Sequence, residues 1–292
     1  MPHLIPHFES IAVDYDVLLC DVWGVVHNGV AAFPQACDAL MRARAAGATV
    51  VFITNAPRPS PVIVRQLEHL RVPRETYDGI VTSGDVTRGV IESRAGQSLY
   101  HLGPERDRPI FEGLTAPVRF APVESADYVV CSGLFDDEVD TPEDYRAQLE
   151  VMSARKLFMI CANPDIVVDR GNRLVYCAGA VADLYAGMGG GEVLYAGKPF
   201  MPIYDKALTL ALARAEQTTG RKPARGRVLC IGDSVRTDMR GAAAAGLDFL
   251  FITSGIHADE LGGGEGPDAG KLDAMLTAGG GVPKAVMREL VW

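Results

Sequence analysis

Short apolar runs alternate along the chain with longer segments of helical periodicity. The runs VLLC, ATVVFI, LFMIC, RVLCI and DFLFI directly precede Asp21, Thr54, Ala162, Gly232 and Thr253. Continuous apolar runs of this length, bounded by Gly, Asn and Asp, are typical of strands that are buried on both faces. Segments such as PQACDALMRARAAG and PIYDKALTLALARAEQTTG lie between them and carry helical patterns. This alternation predicts an α/β fold, with a parallel sheet and helices on both of its faces.

The middle of the chain has apolar runs and glycine-rich turns of its own. We therefore predict a core formed by residues 1–80 and 192–292, and an inserted α/β cap domain formed by residues 81–191. The hinges are expected near Thr82-Ser83-Gly84 and Gly189-Gly190-Gly191. A cap of this kind would select the substrate by closing over the core.

Three polar residues follow predicted core strands closely. Asp21 and Thr54 come directly after apolar runs, and Asp233 follows the run RVLCI and Gly232. In open α/β sheets, ligands bind outside the carboxyl ends of the strands. We therefore expect these three side chains to converge at one edge of the sheet, provided that their strands are neighbours.

Charge and composition narrow the function classes. The 292 residues include 28 Lys and Arg against 37 Asp and Glu, a net charge of −9, which disfavours nucleic acid and anionic membranes as partners. No stretch approaches the roughly 18–20 apolar residues of a membrane span, and the first residues lack the pattern of a signal peptide. We expect a cytoplasmic protein. Its six cysteines form no CxxC pair, so we also expect free thiols.

Four separated pieces together suggest phosphoryl chemistry. A carboxylate such as Asp21 can attack phosphorus and form an aspartyl-phosphate. Bringing two anions together requires a cation, usually Mg²⁺ on oxygen ligands, and Asp233 is the predicted second carboxylate ligand, with Asp238 in support. Lys198 would neutralise a phosphate oxygen and keep Asp21 ionised, while Thr54 would bind the transferring oxygens. Each piece alone is more often a helix cap or a turn.

The order of these pieces resembles a known family. DVWGV, FITNA, AGKP and GDSVRTD are similar, in that order, to the motifs of the haloacid dehalogenase-type phosphatases of the NagD-like subclass. The resemblance extends from Asp14 to Ile256. It implies a Rossmann-like core with a large α/β cap between the second and third motifs. It also implies a Mg²⁺-dependent mechanism in which Asp21, the Trp23 carbonyl and Asp233 hold the metal, with Asp238 supporting.

Substrate contacts are predicted at two places. Asn55 follows Thr54 and would help to hold the phosphoryl group. The sequence ANPD, Ala162–Asp165, is similar to the TNPD motif of the subclass, and it makes Asn163 and Asp165 the best candidates for substrate selection. A structural Asx turn at Asn163 is an equally good interpretation.

Trp23 departs from the family pattern. In these phosphatases the second residue after the nucleophile is an Asp that protonates the leaving alcohol, a contribution typically worth about 10²–10⁴-fold in rate. Three hypotheses follow: His27 or another group supplies the proton, the substrate has a good leaving group, or turnover is largely lost. For His27 itself, the more ordinary interpretation is a loop residue with structural hydrogen bonds.

The sequence thus predicts a Mg²⁺-dependent phosphatase of a small soluble phosphorylated metabolite, of the sugar phosphate or nucleotide class. The alternative is a phospho-ligand binding protein weakened in catalysis by the loss of the general acid. Phosphate release from a test ester separates the two hypotheses. The subclass resemblance also makes a homodimer through the caps a prediction.

Overall fold

The computed structural model describes residues 3–170, 173–263 and 266–292. The strands of this part of the chain are β1 (Val17–Cys20), β2 (Thr49–Thr54), β3 (Gly79–Thr82), β4 (Ser98–Leu102), β5 (Arg119–Phe120), β6 (Tyr128–Cys131), β7 (Phe158–Cys161), β8 (Val167–Arg170), β9 (Arg173–Tyr176), β10 (Val193–Tyr195), β11 (Val228–Gly232), β12 (Asp248–Ile252) and β13 (Ala285–Met287). The α-helices are α1 (Glu9–Ala12), α2 (Pro34–Ala45), α3 (Ser60–His69), α4 (Ser83–Ser93), α5 (Arg146–Ala154), α6 (Ala178–Gly187), α7 (Met201–Thr219), α8 (Arg240–Ala245) and α9 (Ala269–Gly279).

The chain divides into two compact units. The first, here called the core unit, comprises Met1–Thr54, Val64–Val81 and Lys198–Trp292. Its six-stranded sheet has the order β13-β12-β11-β1-β2-β3. β1 pairs in parallel with both β2 and β11, and β12 pairs in parallel with β11 and β13. Every residue of β1, β2 and β11 is buried, as expected for apolar runs covered on both faces.

The helices of the core unit carry ordinary start and stop signals. α2 begins with Pro34, a residue that suits the first helical position because it lacks a backbone N–H. Its buried residues include Ala36, Ala39, Leu40 and Ala43, which repeat at the spacing of one helical face. α7 ends at Thr219 and is capped by Gly220, which adopts the left-handed conformation that glycine tolerates best (φ 73°).

The second unit, here called the cap unit, comprises Asn55–Ile63 and Thr82–Gly197. It includes the 55–63 segment and residues 192–197, which the sequence prediction assigned to the core. Its five-stranded sheet has the order β10-β7-β6-β4-β5, and all four strand pairs are parallel. β8 and β9 form a separate antiparallel pair. Tyr185, Leu149 and Met152 are fully buried members of its hydrophobic core.

The predicted α/β class with parallel sheets is therefore confirmed. None of the helices in the described ranges is long and apolar enough to cross a membrane. All six cysteines are buried free thiols.

Candidate active site

The carboxyl ends of β11, β1 and β2 bring the predicted site residues to one edge of the core sheet. Cys20 pairs with Ile231 on one side and with Phe52 on the other. Asp21 therefore lies level with the penultimate residue of β2 and the last residue of β11, and Thr54 and Asp233 lie one position further on. The Asp21 N–H donates to the carbonyl of Ile231 (2.8 Å), which extends the ladder by one residue. The predicted convergence at one edge is thus observed.

A buried ion cluster is centred on Lys198. Its Nζ atom lies 2.6 Å from Oδ1 of Asp21 and 2.7 Å from Oδ1 of Asp238. Carboxylate oxygens of Asp21, Asp233 and Asp238 all lie within 4.8 Å of one another, and all three residues are buried. Three carboxyl groups thus face one ammonium group in a low-dielectric environment, which leaves an excess of negative charge when all of them ionise.

The pKa values of the cluster reflect this excess. Burial, followed by the Asp238 carboxylate, raises the pKa of Asp21 well above its usual range, and the opposing effect of Lys198 does not outweigh them. Burial and Asp238 likewise raise the pKa of Asp233 to about 7. Burial alone would lower the pKa of Lys198, but the two carboxylates beside it raise it instead. Lys198 thus acts on Asp21 in the predicted direction, towards the ionised form, against the larger effects of burial and Asp238.

The donor set fits a hard divalent cation. Carboxylate oxygens are the ligands that Mg²⁺ and Ca²⁺ prefer, and positive charge at this place would relieve the repulsion among the three acids. Asp21, Asp233 and Asp238 are the side chains that could hold such an ion. The Trp23 carbonyl stays a predicted fourth ligand.

Backbone groups and glycines hold the carboxylates in place. The Asp233 Oδ2 atom accepts the N–H of Ile256 (2.8 Å), and the Asp238 Oδ2 atom accepts the N–H of Ser234 (3.1 Å). A Cβ built on Gly24 or on Gly255 would overlap the Asp233 side chain. Sequence reasoning missed the close approach at both glycines; Gly255 is the third residue after β12.

His257 is a second residue that sequence reasoning missed. Its buried ring accepts the N–H of Val235 at Nε2 (3.3 Å), and its Nδ1 atom lies 3.2 Å from Oε2 of Glu260. Because Nε2 accepts, the ring proton is at Nδ1 and is donated to Glu260. His257 thus supports the turn that connects Asp233 with Asp238. No sequence motif marks it beyond its position shortly after the apolar run DFLFI.

The loop after Asp21 is built around Trp23 and His27. The two rings meet edge to face, with centroids 5.2 Å apart and planes at 77°. The His27 Nδ1 atom accepts the N–H of Gly29 (3.0 Å). Burial lowers the pKa of His27 to about 4, so the ring is uncharged at neutral pH. His27 therefore fits the structural interpretation, and a protonated His27 acting as general acid is not supported.

The cap unit brings together the three predicted substrate contacts. The Asn55 Nδ2 atom donates to Oδ1 of Asp165 (2.9 Å), and the Asp165 N–H donates to Oδ1 of Asn163 (3.1 Å). The second bond is an Asx turn, the structural alternative considered for Asn163. Contact of these residues with a substrate stays a prediction. Thr54 is buried at the end of β2 in the core unit.

Known proteins resemble this chain over most of its length. A family model described as haloacid dehalogenase-like hydrolase matches residues 18–115, and a HAD-hydrolase-like model matches residues 195–271. A solved structure of a hydrolase of the haloacid dehalogenase-like family from Brucella suis is 44% identical, with a TM-score of 0.84, and the match covers 99% of this chain and 100% of that one.

Two characterised relatives are more distant. The 5'-nucleotidase YutF of Bacillus subtilis is 23% identical over 249 residues, which cover 84% of this chain and 90% of the relative. The dihydroxyacetone phosphatase of Corynebacterium glutamicum is 32% identical over 100 residues, which cover 34% of this chain and 33% of the relative.

Proposed function

The chain belongs to the haloacid dehalogenase-like hydrolases, and we propose that it is a phosphatase that uses Asp21 as its nucleophile. The observation that carries the proposal is the buried cluster in which Lys198 contacts both Asp21 and Asp238, with Asp233 beside them. A carboxylate at the carboxyl end of a central strand, with a fixed cation next to it, suits covalent attack on an anionic ester.

In the first step, an oxygen of Asp21 forms a bond to phosphorus while the bond from phosphorus to the leaving oxygen breaks. The leaving oxygen takes the electron pair. In the second step, water attacks phosphorus, the bond to Asp21 breaks, and inorganic phosphate is released with the water proton passing to solvent. Lys198 offsets negative charge on the phosphoryl oxygens in both steps, and the Thr54 hydroxyl and N–H orient them.

Mg²⁺ is the proposed cofactor, held by Asp21, Asp233 and the Trp23 carbonyl with Asp238 in support. When bound, it would supply positive charge that screens the approach of the carboxylate to the phosphate. Binding can be measured without turnover. Mg²⁺ should raise the thermal midpoint of the wild type and have a much smaller effect on Asp233→Asn.

The proposed substrate is a small soluble phosphorylated metabolite of the sugar phosphate or nucleotide class. The activities named for the two characterised relatives, on nucleotides and on dihydroxyacetone phosphate, support this class. We propose that the cap unit selects the substrate and that Asn55, Asn163 and Asp165 take part. A cytoplasmic location and a homodimer remain predictions.

A second candidate function follows from Trp23. A Trp two residues after the nucleophile leaves no carboxylate to protonate a leaving alcohol at that position. If turnover has been lost for this reason, the protein is a phospho-ligand binding protein. Binding of a phosphate analogue without phosphate release from any ester would favour it.

Phosphate release in the presence of Mg²⁺ tests the main proposal. Asp21→Asn should abolish release from a nitrophenyl ester, because an amide oxygen does not form the covalent intermediate. Asp14→Asn is a matched control that removes one exposed acid just before β1 and should keep wild-type rates. If Asp21→Asn retained the wild-type rate, Asp21 would not be the nucleophile.

A further inference from the structure

The loop that follows Asp21 offers no side chain that protonates a leaving group. The next five residues are Val22, Trp23, Gly24, Val25 and Val26. The first titratable side chain after them belongs to His27. Its Nδ1 atom is occupied by the Gly29 N–H, and its ring is buried against Trp23. His27 therefore packs against Trp23, and its Nδ1 atom, which accepts a hydrogen bond, holds no proton to donate.

The other titratable groups of the cluster are engaged with one another. Lys198 contacts Asp21 and Asp238, and Asp238 also accepts the N–H of Ser234. Asp233 accepts the N–H of Ile256. These groups place charged side chains around the nucleophile. Their hydrogen bonds oppose the movement that a proton transfer to a departing oxygen would need.

Trp23 itself is held in one place. A Cβ on Gly29 would overlap the six-membered ring of the indole, and Gly29 has a φ of 84°, which favours glycine. The Gly24 N–H donates to the His27 carbonyl (2.8 Å), and the His27 N–H donates to the Val22 carbonyl (3.2 Å), so the loop folds back on itself. Trp23 nevertheless stays partly exposed. The loop thus presents a fixed aromatic surface two residues from the nucleophile.

We propose that Trp23 makes the enzyme selective for phosphate esters with a planar, weakly basic leaving group, of which aryl phosphates are the type case. This inference rests on the proposed phosphatase function and names the substrate class of the same site. An alkoxide is a strong base and needs a proton as it departs, whereas an aryloxide spreads its charge over a ring and leaves without one. A flat leaving group also packs well against an indole.

The bonds balance without an internal acid. The Asp21 oxygen bonds to phosphorus, the bond from phosphorus to the aryl oxygen breaks, and the aryloxide carries the electron pair into solvent, where water protonates it. In the second step the leaving group is the Asp21 carboxylate, which needs no proton either. The attacking water, however, has no base at position 23 to accept its proton. The phosphorylated Asp21 should therefore accumulate, and the phenol product should appear in a burst of about one equivalent per enzyme.

A series of aryl phosphates of increasing leaving-group basicity, completed by ethyl phosphate, tests the proposal with Mg²⁺ present. We expect kcat/KM of the wild type to fall steeply along the series, with ethyl phosphate at least about 10²-fold below nitrophenyl phosphate. Trp23→Asp should flatten this dependence and raise turnover of ethyl phosphate by about 10²–10⁴-fold. The substitution keeps the backbone carbonyl of residue 23, the predicted metal ligand.

Two matched variants separate the causes. Trp23→Asn has nearly the shape of Trp23→Asp but carries no acidic proton, so it should not rescue ethyl phosphate. Trp23→Phe keeps an aromatic surface and should keep the steep dependence of the wild type. Thermal unfolding followed by far-ultraviolet circular dichroism checks that each variant is folded, and the wild-type series decides alone if Trp23→Asp does not fold.

The outcomes distinguish this inference from the proposed function. Equal turnover of ethyl and aryl phosphates by the wild type, or equal rescue by Trp23→Asn and Trp23→Asp, would overturn the selectivity and leave the phosphatase standing. Release from no ester at all would overturn the proposed function, and the selectivity with it.

Discussion

Lys198 lies 2.6 Å from Asp21, and this ion pair is almost completely buried, with 3% of the lysine side chain and 10% of the aspartate side chain exposed. Because Lys198 also contacts Asp238, one cation connects two acids that lie 217 positions apart in the chain. The loop after β1 and the turn after β11 are therefore held together electrostatically as well as by the sheet.

Replacing Lys198 by Met should lower phosphate release by about 10²-fold or more. The variant removes the cation that faces the phosphoryl oxygens, and one lost electrostatic contact to the transition state typically costs that much. It also leaves buried acids without their partner, a change that costs about 3–5 kcal/mol unless they take up protons. Rates and urea unfolding measure the two effects.

Lys206→Met is the matched control, because Lys206 is an exposed lysine in the same stretch of the core unit. Lys206→Met should change neither the rate of phosphate release nor the free energy of unfolding appreciably. A Lys198→Met variant as active as Lys206→Met would show that Lys198 has only a structural role.

The stability of the cap unit should depend on pH through His101. Burial, followed by Arg108, lowers the pKa of His101 to about 4, while an unfolded histidine titrates near 6.5. Between these values the unfolded chain binds the proton more readily. The contribution of His101 to the free energy of unfolding, on the order of 3 kcal/mol in all, is therefore fully present above pH 6.5 and is lost as the pH falls towards 4. Hydrogen exchange of β4 at several pH values measures it.

His101→Gln does not titrate and should reduce this dependence. Ser132→Ala removes the hydroxyl that lies 2.9 Å from His101 Nε2 but keeps the imidazole, so it should keep most of the dependence. Identical pH profiles for wild type and His101→Gln would rule out His101 as the source.

Gly255→Ala should lower activity because the new Cβ would displace the Asp233 carboxylate. Overpacking of this kind typically costs about 1–3 kcal/mol, and misplacing a site residue by about 1 Å costs about 10²-fold in rate. Gly226→Ala is the matched control, because a Cβ there meets nothing within 4 Å. Phosphate release and the thermal midpoint should both separate the two variants, and equal rates would contradict the close approach.

The parts of this site that could be predicted are those that depend on local patterns. Asp21 and Thr54 directly follow apolar runs, and parallel sheets place the carboxyl ends of their strands at one edge. The convergence of these residues with Asp233 could therefore be predicted. The contact of Lys198 with Asp238 was not predicted, because nothing local indicates which acid a lysine meets. The same holds for Gly24, whose missing side chain matters only because Asp233, 209 positions away, packs against it.

Trp23 and His27 show a second limit of prediction from the sequence. Trp23 could be recognised as a departure from the family pattern, but its packing on Gly29 and His27 depends on the exact course of the loop. The burial of His27 decides its protonation state, and burial of a single polar residue follows from packing that local periodicity does not describe.

His257 is predicted to be a positioning residue that acts through the Val235 N–H. His257→Leu would leave this buried donor unpaired, which typically costs about 1–3 kcal/mol, and would loosen the turn between Asp233 and Asp238. We expect kcat to fall by about 10–10²-fold while KM changes little, because the turn carries the acids of the core cluster and not the predicted substrate contacts of the cap unit.

His257→Gln should recover much of kcat, since its amide oxygen can accept the same N–H. Glu260→Gln, which alters only the exposed partner of the ring, serves as control and should stay close to wild type. A His257→Leu variant that loses thermal stability but keeps the kcat of its folded fraction would limit His257 to a purely structural role.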